Sequence, residues 1–152
     1  AALFAACTKA AAFSVGVGEG EAELARLLGE YIGICFQIKD DIFDYYQDIE
    51  IGKPTGNDLQ DGKVTLPLIY ALQNSEGTVK EDIMSMIDRK DFSADNINLI
   101  MEFARNNGGV DYANKCMEAY KNKAIAELNN FADSDVKEAL IMCAEFAAGR
   151  NI

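Results

Sequence analysis

The 152-residue sequence contains no histidine and no tryptophan, only two prolines, and 14 basic residues against 25 acidic ones. Without imidazole there can be no Ser-His-Asp triad, no histidine general base and no histidine-held zinc. The net charge of -11 leaves no positive field for nucleic acid or anionic lipid, and an acidic surface is by itself only a solubility device. Cysteine is sparse and unpatterned: Cys7, Cys35, Cys116 and Cys143 have no C-x-x-C spacing and sit in apolar, helix-like sequence. They read as reduced core thiols of a cytoplasmic protein, so a bound metal would be held by oxygen. Long apolar runs are also missing. Residues 1 to 15 are too short for a span of roughly 20 apolar residues and carry Lys9 near their centre, which excludes stable membrane insertion, while a signal peptide would place its positive charge ahead of the apolar run. That stretch reads as a buried helix beginning at the first residue with no methionine and no cap, so the chain is expected to be an excised piece of a longer protein.

What remains is a chain of helical pattern, long enough for one domain with a substantial core. The first helix, about 1 to 15, is expected to stop at Gly16-Val17-Gly18-Glu19-Gly20. A second runs from Glu21 to Tyr46 or Asp48 and is apolar on most sides in its later half. Ile51 to Lys63 is polar and glycine-rich, the longest irregular segment and the place to look for ligand contacts. Thr65 and Pro67 suit the start of a short helix through Leu72. A minor helix follows near 80 to 90. Ser93 then caps a helix with Ile97, Ile100, Met101 and Ala104 on one face, ended by Gly108. Two final helices carry the stripes Ala113, Cys116, Met117, Tyr120, Ala124, Leu128 and Val136, Leu140, Cys143, Ala144, Ala147, which read as core. No internal repeat or low-complexity tract is visible, and the fold class expected is an all-α helical bundle.

One stretch of the second helix breaks the apolar pattern. Phe36-Gln37-Ile38-Lys39-Asp40-Asp41-Ile42-Phe43-Asp44 contains a D-D-x-x-D triplet, a weak signal alone in so acidic a chain. At 100° per residue, however, Gln37, Asp40, Asp41, Asp44 and Asp48 fall within roughly 60° of one line along the helix. An ordinary solvated face alternates signs, because like charges three or four residues apart cost roughly 0.2–0.5 kcal/mol per pair. This stripe has no interleaved cation. Ionised carboxylates in a row suit Mg²⁺, which takes one or two of them, keeps some waters and completes its shell with phosphate oxygens. Directly after it, Gly52-Lys53-Pro54-Thr55-Gly56-Asn57-Asp58-Leu59-Gln60-Asp61-Gly62-Lys63 places two lysines ten residues apart in glycine-punctuated sequence. Lysine meets a diphosphate as a mobile point charge, and glycines let backbone approach an anion.

Together, F-Q-x-x-D-D-x-x-D and G-K-x-x-G-x-D-x-Q-D-x-K resemble the second aspartate-rich region of the trans-isoprenyl diphosphate synthases. The continuation Lys63-Val64-Thr65-Leu66-Pro67-Leu68 is similar to the long-chain, octaprenyl-type members. The resemblance implies a helical bundle of the isoprenoid synthase type, with residues 1–152 forming the C-terminal part of a single domain. It implies Asp40, Asp41 and Asp44 as Mg²⁺ ligands, Lys53 and Lys63 as diphosphate-binding cations, Gln37 facing the reacting centre and Phe36 lining the pocket of the second substrate. Asp58 and Asp61 look like supporting carboxylates that orient the loop.

The implied reaction joins an allylic diphosphate to isopentenyl diphosphate, and the implied assembly of the full-length protein is a homodimer. The family's first D-D-x-x-D, its paired arginines and the Lys-Thr pair before the alanine-rich helix are not in this sequence, so the chain alone is expected to be inactive. Two further readings stand beside this one. A non-catalytic subunit could keep the fold, and a class I terpene cyclase shares the ionisation chemistry, although the intact D-D-x-x-D followed by the lysine loop disfavours the cyclase.

Overall fold

The computed structural model describes residues 1–46 and 56–150. Among them are eight helices and no strand: α1 (Ala2–Ser14), α2 (Glu19–Phe43), α3 (Asn57–Gln60), α4 (Leu66–Gln73), α5 (Thr78–Asp88), α6 (Ala94–Asn106), α7 (Gly109–Leu128) and α8 (Asp135–Gly149). The all-α expectation holds. The described residues cluster into two compact units, residues 1–39 with residues from 116 onward, and residues 40–115.

In the first unit, α1 lies directly on α2 because two glycines clear the way. A Cβ at Gly29 would come within 2.6 Å of the Phe4 carbonyl oxygen, and one at Gly33 within 2.6 Å of the Ala1 Cα. Beyond this crossing, Leu28, Ala124, Leu128 and Ala144 form a buried cluster with Tyr31, Ile32, Ile125 and Ile141 packed around it. Each large side chain so buried contributes about 1.5–3 kcal/mol. Charged pairs stitch the rim: Lys9 Nζ meets Glu19 at 2.9 Å and Glu23 at 3.3 Å, while Arg26 bridges Glu23 and Glu30 along α2.

Burial in this unit departs from the sequence pattern. Leu3 is 73% exposed on α1, and Val136 and Phe146 are 69% and 71% exposed on α8. Of the α8 stripe, Ala144 and Ala147 are buried, while Val136, Leu140 and Cys143 are exposed. The thiol expectation is corrected likewise, since Cys35 alone is buried, Cys116 is partly covered, and Cys7 and Cys143 face solvent. Helical spacing identifies an apolar face; whether anything packs on that face is settled by tertiary contacts.

In the second unit, α4 packs along α6 and α5 touches α6. Leu68, Ala71, Ile83, Ile97, Ile100, Met101 and Ala104 make the core. Ser93 caps α6 as the sequence predicts, its side chain accepting the Asn96 N–H. Gly108 follows α6 in the left-handed region at φ 73°, the stop its position suggests. Gly109 then opens α7 against α4 so closely that a Cβ there would fall 2.1 Å from the Pro67 carbonyl oxygen.

Candidate functional site

Helix α2 has no proline to break it and acidic residues in its first turn, so it persists as far as Phe43. It stops earlier than the sequence suggests. The Tyr45 and Tyr46 N–H groups bond three residues back, to the Ile42 and Phe43 carbonyls, which tightens the end of the helix. Asp40 and Asp41 occupy the last turn and are half-buried, whereas Asp44 lies just past the helix in the turn. Asp48 and Lys53 lie outside the described residues.

Leaving the helix changes what Asp44 does. Its Oδ1 accepts the Asn57 N–H at 2.9 Å, its Oδ2 accepts the Asp58 N–H at 3.1 Å, and its carbonyl accepts the Gly56 N–H at 3.2 Å. Those donors are the opening N–H groups of α3, the short helix that forms within what the sequence reads as irregular. Gly56 makes the approach possible: it sits at φ 74°, and a Cβ there would strike Ile97 Cγ2 at 2.4 Å. Burial pushes the Asp44 carboxyl above the ordinary aspartate value, and the N–H donors from Asp58 and Asn57 partly oppose that shift.

Seven residues past Gly56, Lys63 is exposed at the C-terminal side of α3. Its Nζ donates to Asp58 Oδ1 at 2.9 Å and Asp61 Oδ2 at 3.0 Å, and its N–H to the Asp58 carbonyl at 2.7 Å. These two carboxylates raise the lysine's pKa, the Asp58 hydrogen bond foremost, so the group is a cation at any physiological pH. Asp58 and Asp61 thus pair with the Lys63 side chain.

Gln37 is exposed and Phe36 half-buried, both on α2 ahead of the acidic turn. Phe36 is wedged between the Phe4 ring, 5.7 Å away, and the Arg150 guanidinium, 3.7 Å over its face; Arg150 also donates to the Phe36 carbonyl at 2.9 Å. Arg150 caps a ring to which the resemblance gives a substrate-lining role, a contact between residues too far apart in sequence to be read from it.

Tyr45 is the residue that sequence reasoning missed. At 1% exposure it lies in the core of the second unit, yet its hydroxyl is 3.0 Å from Thr65 Oγ1 and its carbonyl accepts from Arg105 Nη1 of α6 at 2.9 Å. Burial pushes its phenol up to about 12. A faint signal was present in the sequence: an aromatic with a polar tip directly behind the aspartate triplet, and a threonine before a Leu-Pro helix start.

Among the described residues no three carboxylates or thiolates converge tightly enough to hold a metal unaided. Mg²⁺ shared with a phosphorylated ligand needs only one or two protein carboxylates and takes its other positions from phosphate and water. Asp40 and Asp41 are adjacent, half-buried carboxylates, and the absence of histidine leaves oxygen donors there.

Residues 1–104 match the polyprenyl synthetase family model. The chain is 34% identical over 149 residues to the all-trans-nonaprenyl-diphosphate synthase (geranyl-diphosphate specific) of Rhodobacter capsulatus, covering 97% of this chain and 45% of that protein. Its structure resembles geranylgeranyl pyrophosphate synthase from Bacteroides thetaiotaomicron with a TM-score of 0.90 at 48% identity, over 97% of this chain and 49% of that one. It also resembles polyprenyl synthase from Caulobacter crescentus CB15, solved with calcium and isoprenyl diphosphate, at a TM-score of 0.87 and 35% identity over 97% of this chain and 45% of that one. The chain therefore spans about half the length of the relatives it matches. A family match over more than half of its residues, on the helices that carry the acidic turn and the lysine segment, makes the chain a member of the polyprenyl synthetase family.

Proposed function

We propose that this chain carries the diphosphate-handling part of a Mg²⁺-dependent trans-polyprenyl diphosphate synthase. The observation that supports it most directly is the closure of the lysine segment onto the acidic end of α2: Gly56, Asn57 and Asp58 bond to Asp44, and Lys63 sits on the far side of the same short helix. In this reading the carbon–oxygen bond of an allylic diphosphate breaks, the double bond of isopentenyl diphosphate attacks the resulting carbocation to form a carbon–carbon bond, and a proton is lost. Negative charge then builds on the departing diphosphate, and fixed cations are what the reaction demands.

Asp40, Asp41 and Asp44 would hold the metal together with phosphate oxygens and water, and the metal would neutralise that charge. Each Asp44 oxygen has a second lone pair, so accepting an N–H does not exclude a ligand. Lys63 exchanges its exposed pairing with Asp58 and Asp61 for the diphosphate, at little cost because solvent-exposed ion pairs are weak. Lys53, outside the described residues, is the second cation. Gln37 faces the reacting centre and Phe36, held by Arg150, lines the second substrate's pocket. The named complex of the Caulobacter relative with calcium and isoprenyl diphosphate supports a divalent cation paired with a diphosphate. A homodimer and a cytoplasmic location complete the proposal, the latter supported by four free thiols and by the finding that no described helix is long and apolar enough to cross a membrane.

Calorimetric titration with Mg²⁺ and inorganic diphosphate tests the site. Asp40→Ala, Asp41→Ala and Lys63→Ala are each expected to weaken diphosphate binding roughly tenfold or more, the scale of losing one charge-assisted contact. If the wild-type chain binds no diphosphate with Mg²⁺ present, the assignment is wrong. For the whole polypeptide carrying this chain, transfer of labelled isopentenyl diphosphate onto an allylic primer is the expected activity. No incorporation with any primer would leave the non-catalytic subunit as the better description.

A further inference from the structure

Thr65 occupies the N-cap position of α4, in extended backbone at φ -98° and ψ 172°, yet its side chain makes no capping hydrogen bond. A threonine there ordinarily accepts an N–H from the first turn. Its hydroxyl is engaged with the Tyr45 hydroxyl instead, at 3.0 Å. Tyr45 thereby ties the N-cap residue of α4 to the turn that ends α2. The start of α4 is thus held to α2's end through the Thr65 side chain.

The consequence lies two residues upstream of Thr65. Lys63 sits in a segment whose entry, residues 56 to 58, is held by Asp44 and whose exit, Thr65, is held by Tyr45. Consecutive residues therefore fix both ends of the piece of chain that presents the lysine. Tyr45 is itself fixed by its buried ring and by Arg105, which donates to its carbonyl. A phenylalanine would fill the same volume, so packing alone does not call for the hydroxyl; a buried hydroxyl is a liability unless its hydrogen bonds are made.

We propose that Tyr45 is a positioning residue for diphosphate binding: through Thr65 it sets where Lys63 stands relative to the acidic turn of α2. The inference rests on the Mg²⁺–diphosphate reading of that turn. It differs from a purely structural role, in which the hydroxyl would secure α4 and leave Lys63's affinity for the anion untouched.

The test uses the intact chain with Mg²⁺ and inorganic diphosphate as probes. Tyr45→Phe and, from the other side of the bond, Thr65→Val are each expected to weaken diphosphate binding roughly 3- to 10-fold, the worth of one hydrogen bond, with affinity for Mg²⁺ alone unchanged. Combined with Lys63→Ala, Tyr45→Phe is expected to add no further loss, because the hydroxyl acts only through the lysine. Urea unfolding of each variant establishes that the folded state is the one titrated. Unchanged diphosphate affinity in both single variants, or losses that simply add with Lys63→Ala, would overturn the proposal while leaving the metal–diphosphate reading standing. Failure of the wild-type chain to bind diphosphate would instead remove that reading, and the proposal with it.

Discussion

Cys35 shows how a single group's surroundings become a measurable property. It is buried, and desolvation raises its thiol above the ordinary value of 9.0, with the Glu118 charge acting in the same direction. Because the thiolate is the disfavoured form in the folded chain, the unfolded chain releases this proton first as pH climbs past 9. The stability linked to Cys35 is therefore complete below pH 9 and is lost as pH rises through the raised folded value. Urea unfolding at stepped pH should show a steeper loss above pH 9 in the wild-type chain than in Cys35→Ala. Thiol labelling under native conditions should modify Cys7 and Cys143 first and Cys35 last, since reactivity needs an accessible thiolate. Rapid native labelling of Cys35 would contradict its burial.

Between elements, glycine decides how close backbones come. Gly109 lets the start of α7 lie against α4, and Gly29 and Gly33 let α1 lie against α2; at each, a methyl group would come within 3 Å of backbone, and at Gly29 also of the Thr8 hydroxyl. Gly109→Ala is expected to destabilise by about 1–3 kcal/mol, the usual range for forcing extra volume into packed structure. Gly20→Ala, where a Cβ meets nothing within 4 Å, should be neutral or slightly stabilising. Equal midpoints in urea for the two variants would show that the α4–α7 approach is looser than described. The short helix α3 belongs to this scale too. Its four residues could not be helical alone, since a nucleus that small is unfavourable, and Asp44 supplies partners for its first N–H groups.

At the scale of the whole molecule, the first unit leaves large apolar side chains in water: Leu3, Phe13 and Val15 at α1, and Val136, Met142 and Phe146 on α8. Patches of this kind favour association or aggregation. Sedimentation velocity over a dilution series is expected to show concentration-dependent self-association of the chain. Leu3→Asp with Phe146→Asp should reduce it, and a monomer at every concentration would show these side chains to be tolerated singly.

The sequence by itself determined the helical class, the positions of most helices and the motif of the acidic turn, because hydrophobic period, caps and carboxylate spacing are local properties. Ser93, Gly108 and the D-D-x-x-D followed by lysines were all legible in this way, and with them the family. Tertiary structure alone decided which apolar faces are covered, that α2 ends at Phe43, and that Asp44 bonds to α3. It alone joined Arg150 to Phe36 and Tyr45 to Thr65. These are contacts between residues distant in the chain, whose geometry follows from packing rather than from any neighbour in sequence.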